Sequence, residues 1–301
     1  MVTVKDDLAR IIHISDLHVA GGGAVLELAV MSDLRDTAEA LRSHQADLIV
    51  VTGDLTSYGT VSKADLRLAK SWLDSLGCPV VVVPGNHDLG ANHSRSVLSP
   101  DTERYEDVVF GNTHFGSVFG KSMVHVTRLG NIQIVGIALR SGDADAVLSE
   151  LERAIANQIP TVVAGHYPIV QVRDTGPLPK VQPMDGWLEE GTVTRLRDMI
   201  LGYNNVIAYL CGHVHASTAR LIDGSVMQIS AGGLGPGPSV YRLYRVQEGS
   251  LVVETHFGAG PLGFWESFGQ IDGCPLEYHL GASDERSFTV ELVGRGRHLP
   301  S

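Results

Sequence analysis

Short, mostly apolar runs rich in β-branched residues recur through the first two thirds of this chain, and polar residues follow each run directly. Five such runs cover residues 10–14, 47–51, 80–83, 161–164 and 206–210. Runs of this length that glycine or proline bounds predict buried strands of an α/β sheet. Because ligands collect beyond the carboxyl ends of strands in such sheets, we expect the polar residues to meet at one edge.

Helical spacing of apolar residues appears between these predicted strands, over residues 32–44, 143–156 and 192–201. A further helix is predicted to begin at Ser62 and to stop at Gly77. Alternation of strands and helices predicts a largely parallel sheet with right-handed crossovers.

The pattern changes after residue 215. Four strand-like segments cover residues 219–222, 226–229, 240–246 and 251–256, and Asp-Gly, a Gly/Pro cluster and Glu-Gly separate them. These turn residues predict an antiparallel meander, which would form a second sheet stacked on the first. The expected fold class is therefore α/β, with two stacked mixed β-sheets flanked by helices.

No internal repeat or low-complexity linker divides the chain of 301 residues. We expect one domain over residues 1–257. Residues 258–301 are rich in Gly and Pro at first and then polar, and we expect them to be a covering loop and tail of that domain.

Composition narrows the class of partner. The formal net charge of −11 argues against a general nucleic-acid surface or an anionic membrane surface. Three cysteines without paired spacing predict no disulfide framework, which suits a reducing compartment. Neither a signal-peptide pattern nor an apolar stretch of bilayer length is present. We therefore expect a cytoplasmic protein with no membrane partner.

The polar residues at the five strand ends are types that bind metal ions. In chain order they are Asp16 and His18, Asp54, Asn86 and His87, His166, and His213 and His215. Taken singly, an aspartate here has an ordinary explanation as a cap, and Gly-Asn is a common turn dipeptide. Their joint occurrence at five strand ends favours a site. Carboxylate, amide and imidazole donors suit Mn, Fe, Co or Zn.

This ordered set resembles the signature blocks of the calcineurin-like metallophosphoesterases, which occur here in the family's order. The resemblance implies two transition-metal ions and a hydroxide between them that attacks a small phosphoester. It implies one ion at Asp16, His18, Asp54 and His215, and the other at Asp54, Asn86, His166 and His213. It also implies that His87 binds no metal and instead protonates, or donates a hydrogen bond to, the leaving oxygen.

Position 57 distinguishes branches of this family. The serine/threonine protein phosphatases of this family carry an acidic residue at this position, and its purple acid phosphatases carry a metal-binding tyrosine. This chain has Ser57 instead. The segments 13–18, 52–55 and 212–215 most resemble the class III cyclic-nucleotide phosphodiesterases. That branch tends to have an aspartate followed by a small hydroxyl residue where this chain has Leu139 and Arg140. The metals are therefore better specified than the substrate.

The expected activity is that of a metal-dependent phosphodiesterase, with a cyclic nucleotide as one candidate substrate. A phosphomonoesterase and a DNA nuclease of the same superfamily are alternatives, although the acidic balance argues against the nuclease. A non-catalytic scaffold is a further alternative, and the retained ligand types argue against it. His93 and Arg140 are predicted substrate contacts. The remaining histidines at positions 44, 114, 256, 279 and 298 are expected on the surface or in loops. A monomer and a homo-oligomer both fit the sequence.

Overall fold

The structure is a computed structural model that describes residues 7–23, 25–89, 109–140, 142–174, 191–235, 239–258 and 276–292. The strands in these ranges are β1 (Ala9–Ile14), β2 (Leu48–Thr52), β3 (Val80–Val83), β4 (Val124–Leu129), β5 (Ile132–Ile137), β6 (Thr161–Ala164), β7 (Val206–Cys211), β8 (Ser217–Ile222), β9 (Val226–Ala231), β10 (Val240–Val246), β11 (Ser250–Phe257) and β12 (Ser287–Glu291). The α-helices are α1 (Val25–Ser43), α2 (Lys63–Asp74), α3 (Asn86–Leu89), α4 (His114–Phe119), α5 (Ala144–Ile155), α6 (Thr192–Gly202), α7 (Leu276–Leu280) and α8 (Ser283–Arg286).

The described strands form two mixed sheets of six strands each. The first has the order β12-β11-β10-β1-β2-β3, and the second has the order β4-β5-β6-β7-β9-β8. Strands β1, β2 and β3 are parallel, as are β5, β6, β7 and β9. The predicted α/β fold with two stacked mixed sheets is confirmed.

Apolar side chains on both faces of the strands explain this layering. In β2, Leu48 and Val50 lie in the core between the sheets, where Val162 of β6 and Leu210 of β7 meet them. Residue Val51 of the same strand points to the outer core that α1 and α2 cover. A matching outer core lies between the second sheet and helices α5 and α6. A strand with two buried faces is uniformly apolar, which is the pattern that the sequence shows.

The topology corrects the predicted meander. Strands β8 and β9 form an antiparallel hairpin in the second sheet, but the chain then returns to the first sheet. There β10 pairs antiparallel with β1, with Ile11 opposite Tyr244. Both sheets present a strand edge to this segment, and β10 contributes Tyr244 and Val246 to the core between the sheets. The four strands predicted after residue 215 are therefore divided between the sheets, with β8 and β9 in the second and β10 and β11 in the first.

The helix boundaries follow local capping chemistry. The side chain of Ser62 accepts a hydrogen bond from the Asp65 amide at 3.3 Å, as an N-cap should. Helix α2 ends at Asp74, three residues before Gly77, whose positive φ of 76° completes the turn. Helix α1 begins at Val25, seven residues earlier than its apolar spacing predicts.

The described part of the C-terminal region consists of α7, α8 and β12. Strand β12 pairs with β11, with Phe288 opposite Val253, and extends the first sheet. Residues 259–275 and 293–301 of the predicted covering loop and tail lie outside the described residues. None of the helices in the described ranges combines the length and the apolar character that a membrane crossing requires.

A buried arginine joins the two sheets. Arg242 of β10 is fully buried and donates hydrogen bonds to the carbonyls of Thr218 at 3.0 Å and Ser230 at 3.3 Å, both in the second sheet. Its guanidinium also donates to the Glu285 carbonyl and the Thr255 hydroxyl. Burial lowers the pKa of Arg242 to about 10, so the side chain stays charged at neutral pH. A buried cation is tolerated only when such acceptors surround it.

We predict that Arg242→Met lowers the free energy of unfolding by about 2–4 kcal/mol, because buried carbonyls lose their donor. Urea unfolding measures this difference. Arg35→Met on α1, where 76% of the arginine side chain is exposed, is the matched control and should change stability by no more than about 0.5 kcal/mol. An Arg242→Met protein as stable as that control would contradict the assignment.

Candidate metal centre

The carboxyl ends of five strands from both sheets converge on one place. Two hydrogen bonds bind the loop after β1 to the loop after β2: the Asp16 amide donates to Gly53 O at 2.9 Å, and the His18 amide donates to Asp54 O at 3.0 Å. The His213 amide, which follows β7 in the second sheet, donates to both carboxylate oxygens of Asp16 at 3.1 Å. The predicted edge is thus shared by two sheets rather than belonging to one.

Five of the seven predicted ligands have a left-handed backbone. Their φ values are 53° at Asp16, 48° at His18, 49° at Asp54, 73° at His213 and 51° at His215. Residues other than glycine seldom adopt positive φ, and such residues cluster at functional sites where the surroundings hold them. This local backbone turns each side chain away from its strand and toward the common centre.

The first group of ligand atoms comes from Asp16, His18 and His215. Their atoms all lie within 4.8 Å of one another. Nε2 of His18 is 3.1 Å from Nε2 of His215, which in turn is 3.4 Å from Oδ1 of Asp16. Two imidazole nitrogens facing a carboxylate at these distances form a site for a cation.

The second group comes from Asp54, His166 and His213, whose ligand atoms also lie within 4.8 Å of one another. Oδ1 of Asn86 is 3.1 Å from Nε2 of His166 and 3.0 Å from Nδ1 of His213. Nδ1 of His166 donates to the Thr52 carbonyl at 2.7 Å, which leaves Nε2 as the nitrogen that faces the group.

The Asp54 carboxylate lies between the two groups. Its Oδ2 is 3.4 Å from Nε2 of His166 and 3.9 Å from Nε2 of His18. Its Oδ1 accepts a hydrogen bond from the His87 amide at 2.9 Å, which fixes the carboxylate plane. The structure therefore brings all seven predicted ligands together, with Asp54 where a shared ligand would be.

Electrostatics prepares these side chains for a cation. Burial lowers the pKa of His18 and of His213 to about 3, and neighbouring imidazoles act in the same direction. Burial would raise the pKa of Asp54, but His166 and the other imidazoles hold it well below its ordinary value. Burial also lowers the pKa of His166, yet the Asp54 charge outweighs it and raises that pKa to about 9. A metal ion that binds there displaces a proton, as ligand deprotonation requires.

Two glycines allow the loops to approach so closely. A Cβ at Gly85 would collide with the carboxylate of Asp54, and a Cβ at Gly212 would collide with the Ser15 hydroxyl. The backbone of each ligand loop therefore packs directly against a neighbouring ligand loop, which only glycine permits.

His87 lies beside the first group, with its ring centroid 4.9 Å from that of His18. Its Nδ1 donates to the main-chain carbonyl of Ser57 at 3.1 Å. Because a carbonyl only accepts, Nδ1 carries the hydrogen, and Nε2 is the ring nitrogen that remains for proton exchange. Position 57, which lacks an acidic side chain, still orients this histidine through its backbone.

The sequence alone assigned no role to Asp88, which directly follows Asn86 and His87. Its Oδ2 accepts from the amides of Gly85 at 2.9 Å and Leu55 at 3.1 Å. Its Oδ1 accepts from the Thr56 amide at 3.1 Å and the Thr56 hydroxyl at 2.9 Å. The buried carboxylate thus fastens the loop after β3 to the loop after β2.

Tyr167 is a second residue that the sequence reading missed. Its ring contacts His166 and His213 edge-on, with centroids 4.9 Å and 5.1 Å away. The Tyr209 hydroxyl donates a hydrogen bond to the Tyr167 carbonyl at 2.9 Å. The signal available in the sequence was its place directly after a ligand.

Of the two predicted substrate contacts, Arg140 lies within the described residues. The Arg140 guanidinium is buried, makes an ion pair with Asp143 and lies 5.8 Å from the ring centroid of Phe110. A substrate contact by Arg140 stays a prediction. His93 lies outside the described residues.

Comparison with known proteins agrees with this geometry. The family model of the calcineurin-like phosphoesterases matches residues 9–217, which is more than half of the chain. This chain belongs to the calcineurin-like phosphoesterase family, so the resemblance carried by the five motifs is confirmed.

Three curated relatives indicate the range of this family. The chain is 26% identical to the probable glycerophosphodiester phosphodiesterase GpdQ of Arcobacter nitrofigilis, covering 75% of this chain and 84% of the relative. It is 28% identical to a probable cyclic nucleotide phosphodiesterase of Coxiella burnetii, over 70% of this chain and 78% of that protein. It is also 26% identical to mouse tartrate-resistant acid phosphatase type 5, over 89% of this chain and 85% of that protein. Named phosphodiesterases and a named phosphatase are thus both among its relatives.

Solved structures share the fold. A dimetal phosphatase from Danio rerio superimposes with a TM-score of 0.58 at 15% identity, over 83% of this chain and 96% of that one. The yellow lupin purple acid phosphatase PPD1 gives a TM-score of 0.57 at 12% identity, over 83% of this chain and 51% of that one.

We predict that Asp88→Asn destabilises the metal centre and the fold together. One amide oxygen cannot serve four donors, and the new NH₂ group would face a main-chain amide. The expected loss is about 2–4 kcal/mol in the free energy of unfolding and about 10–100-fold in metal affinity, measured by urea unfolding and metal titration.

The matched control is Asp74→Asn on α2, whose carboxylate is 63% exposed beside Lys70. It should leave both quantities unchanged. Wild-type stability and metal affinity in Asp88→Asn would show that this carboxylate does not hold the loops.

Proposed function

We propose that this protein hydrolyses a small phosphodiester at a dinuclear centre formed by the two ligand groups, with His87 acting on the leaving oxygen. The observation that carries the proposal is that Asp54 of the second donor group also faces His18 of the first group, with the His87 ring against His18. A phosphoryl group bridging those two groups would place one of its ester oxygens on the His87 side.

The donor set suits the ions that the family uses. Each group offers carboxylate oxygen and imidazole nitrogen, and the second adds the Asn86 amide oxygen. Mn, Fe, Co and Zn accept such mixed ligands. When bound, two such ions supply Lewis acidity to the phosphoryl oxygens and lower the pKa of a water molecule.

The chain's own contribution to the reaction centres on His87. Hydrolysis breaks one P–O ester bond, adds water to phosphorus, and requires a proton on the leaving oxygen. Because Nδ1 of His87 is committed to the Ser57 carbonyl, Nε2 is the atom that presents this proton or a hydrogen bond. The amide of His87 donates a hydrogen bond to Asp54, which fixes the position of this histidine relative to the shared ligand.

Position 57 supports the diesterase over a phosphatase that adds a tyrosine ligand. The Ser57 hydroxyl donates to the His18 carbonyl at 3.2 Å, and its own carbonyl accepts from His87. The hydroxyl and the carbonyl of Ser57 are thus both engaged with neighbouring histidines, and the adjacent Tyr58 has 39% of its surface exposed. The relatives named as a probable glycerophosphodiester phosphodiesterase and a probable cyclic nucleotide phosphodiesterase support the same choice.

A phosphomonoesterase is the second candidate. The match to tartrate-resistant acid phosphatase type 5 favours it, because it extends over 89% of this chain. Both activities need the same two metal sites, so substrate tests rather than metal analysis separate them.

We expect the metal-reconstituted protein to hydrolyse bis(p-nitrophenyl) phosphate with a kcat/KM at least about tenfold above that for p-nitrophenyl phosphate, because a ratio of that size corresponds to about 1.4 kcal/mol of transition-state preference. Cyclic nucleotides and glycerophosphodiesters, assayed beside them, identify the diester class. A higher kcat/KM on the monoester would assign the protein to the phosphomonoesterases.

We predict that His87→Ala retains both metal ions but lowers kcat about 10²–10⁴-fold, as loss of a general acid does. The loss should be larger for an alkyl diester than for a p-nitrophenyl diester, because p-nitrophenolate leaves with little need of a proton. Steady-state kinetics on the two diesters measures both effects. His125→Ala on the edge strand β4 is the control and should keep wild-type turnover. Equal losses on the two diesters would remove His87 from the leaving-group step.

A further inference from the structure

The C-terminal segment contacts the backbone of a predicted metal ligand. Nδ1 of His279, in α7, donates a hydrogen bond to the main-chain carbonyl of His215 at 2.8 Å. His279 is only 3% exposed, so its predicted place on the surface or in a loop is wrong. A buried imidazole from the end of the chain therefore holds the residue that completes the first donor group.

An ion pair anchors this segment beside the second sheet. Both carboxylate oxygens of Glu285 accept from Nη1 of Arg173, at 2.8 Å and 2.9 Å. Arg173 also donates to the carbonyls of Tyr278 at 3.1 Å and Ser217 at 3.0 Å. It follows β6 in the loop that begins with His166, so one guanidinium connects α7, α8, β8 and that loop.

Close packing and a second arginine complete the attachment. Gly281 has a positive φ of 77°, and a Cβ there would lie 2.5 Å from the Ser217 carbonyl. The Glu285 carbonyl accepts from Arg242, the arginine that joins the sheets. Residues 276–286, named here the C-terminal clamp, are thus fixed to the core by several contacts in addition to the one with His215.

We propose that the C-terminal clamp positions one half of the metal centre, with His279 as the positioning residue for His215. The inference rests on the dinuclear site of the proposed function. His215 has a left-handed backbone with φ of 51°, which its surroundings must hold. The hydrogen bond from His279 fixes the peptide plane that follows this residue, and so the direction in which its imidazole points.

The effect is specific to the first group. His215 belongs with Asp16 and His18. In the second group, His166 is held by the Thr52 carbonyl and Asp54 by the His87 amide. Loss of the His279 hydrogen bond should therefore weaken one metal site and spare the other.

The test is a calorimetric titration of the metal-free full chain with Mn²⁺, which measures the affinity of each binding step. Elemental analysis then gives the number of ions bound. His279→Leu removes the donor, whereas His279→Asn keeps an amide N–H close to the position of Nδ1–H. The variants His18→Ala and His166→Ala show which binding step belongs to which group. His125→Leu on β4 is the control for loss of a histidine elsewhere.

We expect wild-type protein and His125→Leu to bind two Mn²⁺ ions. His279→Leu should weaken the step assigned by His18→Ala about 10–100-fold, as loss of an outer hydrogen bond to a ligand does, and leave the other step unchanged. His279→Asn should recover most of that affinity. Glu285→Gln, which weakens the anchor without touching His279, should weaken the same step by a smaller factor.

Unchanged affinity in His279→Leu, equal weakening of both steps, or failure of His279→Asn to recover affinity would each overturn the proposal. Thermal unfolding of the metal-free variants identifies any that fail to fold, and Glu285→Gln and His279→Asn then decide the question. A wild-type chain that binds two ions and hydrolyses diesters, while His279→Leu binds them equally well, would refute the clamp alone. A wild-type chain that binds no pair of ions would refute the proposed function itself.

Discussion

Burial of two carboxylates at the junction of the sheets is the constraint on which the rest of the structure depends. Asp16 and Asp54 are 0% and 2% exposed, and a buried carboxylate is costly unless donors and cations surround it. Main-chain amides supply part of the compensation: the His213 amide bonds to Asp16, and the His87 amide bonds to Asp54. Asp16 follows a strand of the first sheet, and His213 follows a strand of the second. The hydrogen bond that stabilises the buried Asp16 carboxylate therefore also joins the two sheets.

The remaining compensation comes from imidazoles, so the side chains that offset the buried charge are also the donor types that metal ions bind. The rings that face the carboxylates lower the pKa of Asp54, while burial keeps His18 and His213 neutral. Neutral imidazoles and ionised carboxylates are the protonation states that a bound metal ion requires of its ligands. The left-handed backbone of these residues is also held by the surrounding structure. Hydrogen bonds between the loops stabilise conformations that isolated loops would seldom adopt.

Around this centre, main-chain groups make many of the contacts that orient the site's side chains. The Ser57 carbonyl orients His87, and the Thr52 carbonyl orients His166. Asp88 acts on three main-chain amides, and His279 acts on a main-chain carbonyl. Residues whose side-chain type gives no hint of a role can therefore orient the site through their main chain. These contacts come from elements between β2 and the C-terminal helix α7.

The sequence by itself determined most of the twelve described strands, although β4 and β12 were not among them. It also determined the alternation of strands and helices, the class of chemistry and the ligand types, because each of these is local. Apolar runs and the residue that follows them, such as Asp16 after β1, can be read without knowing what packs against them. Tertiary structure alone decided which sheet receives β10, how the ligands divide into two groups around Asp54, and that His279 is buried against His215. Those outcomes depend on contacts between residues far apart in the chain, where burial and hydrogen-bond satisfaction choose among partners that no local pattern distinguishes.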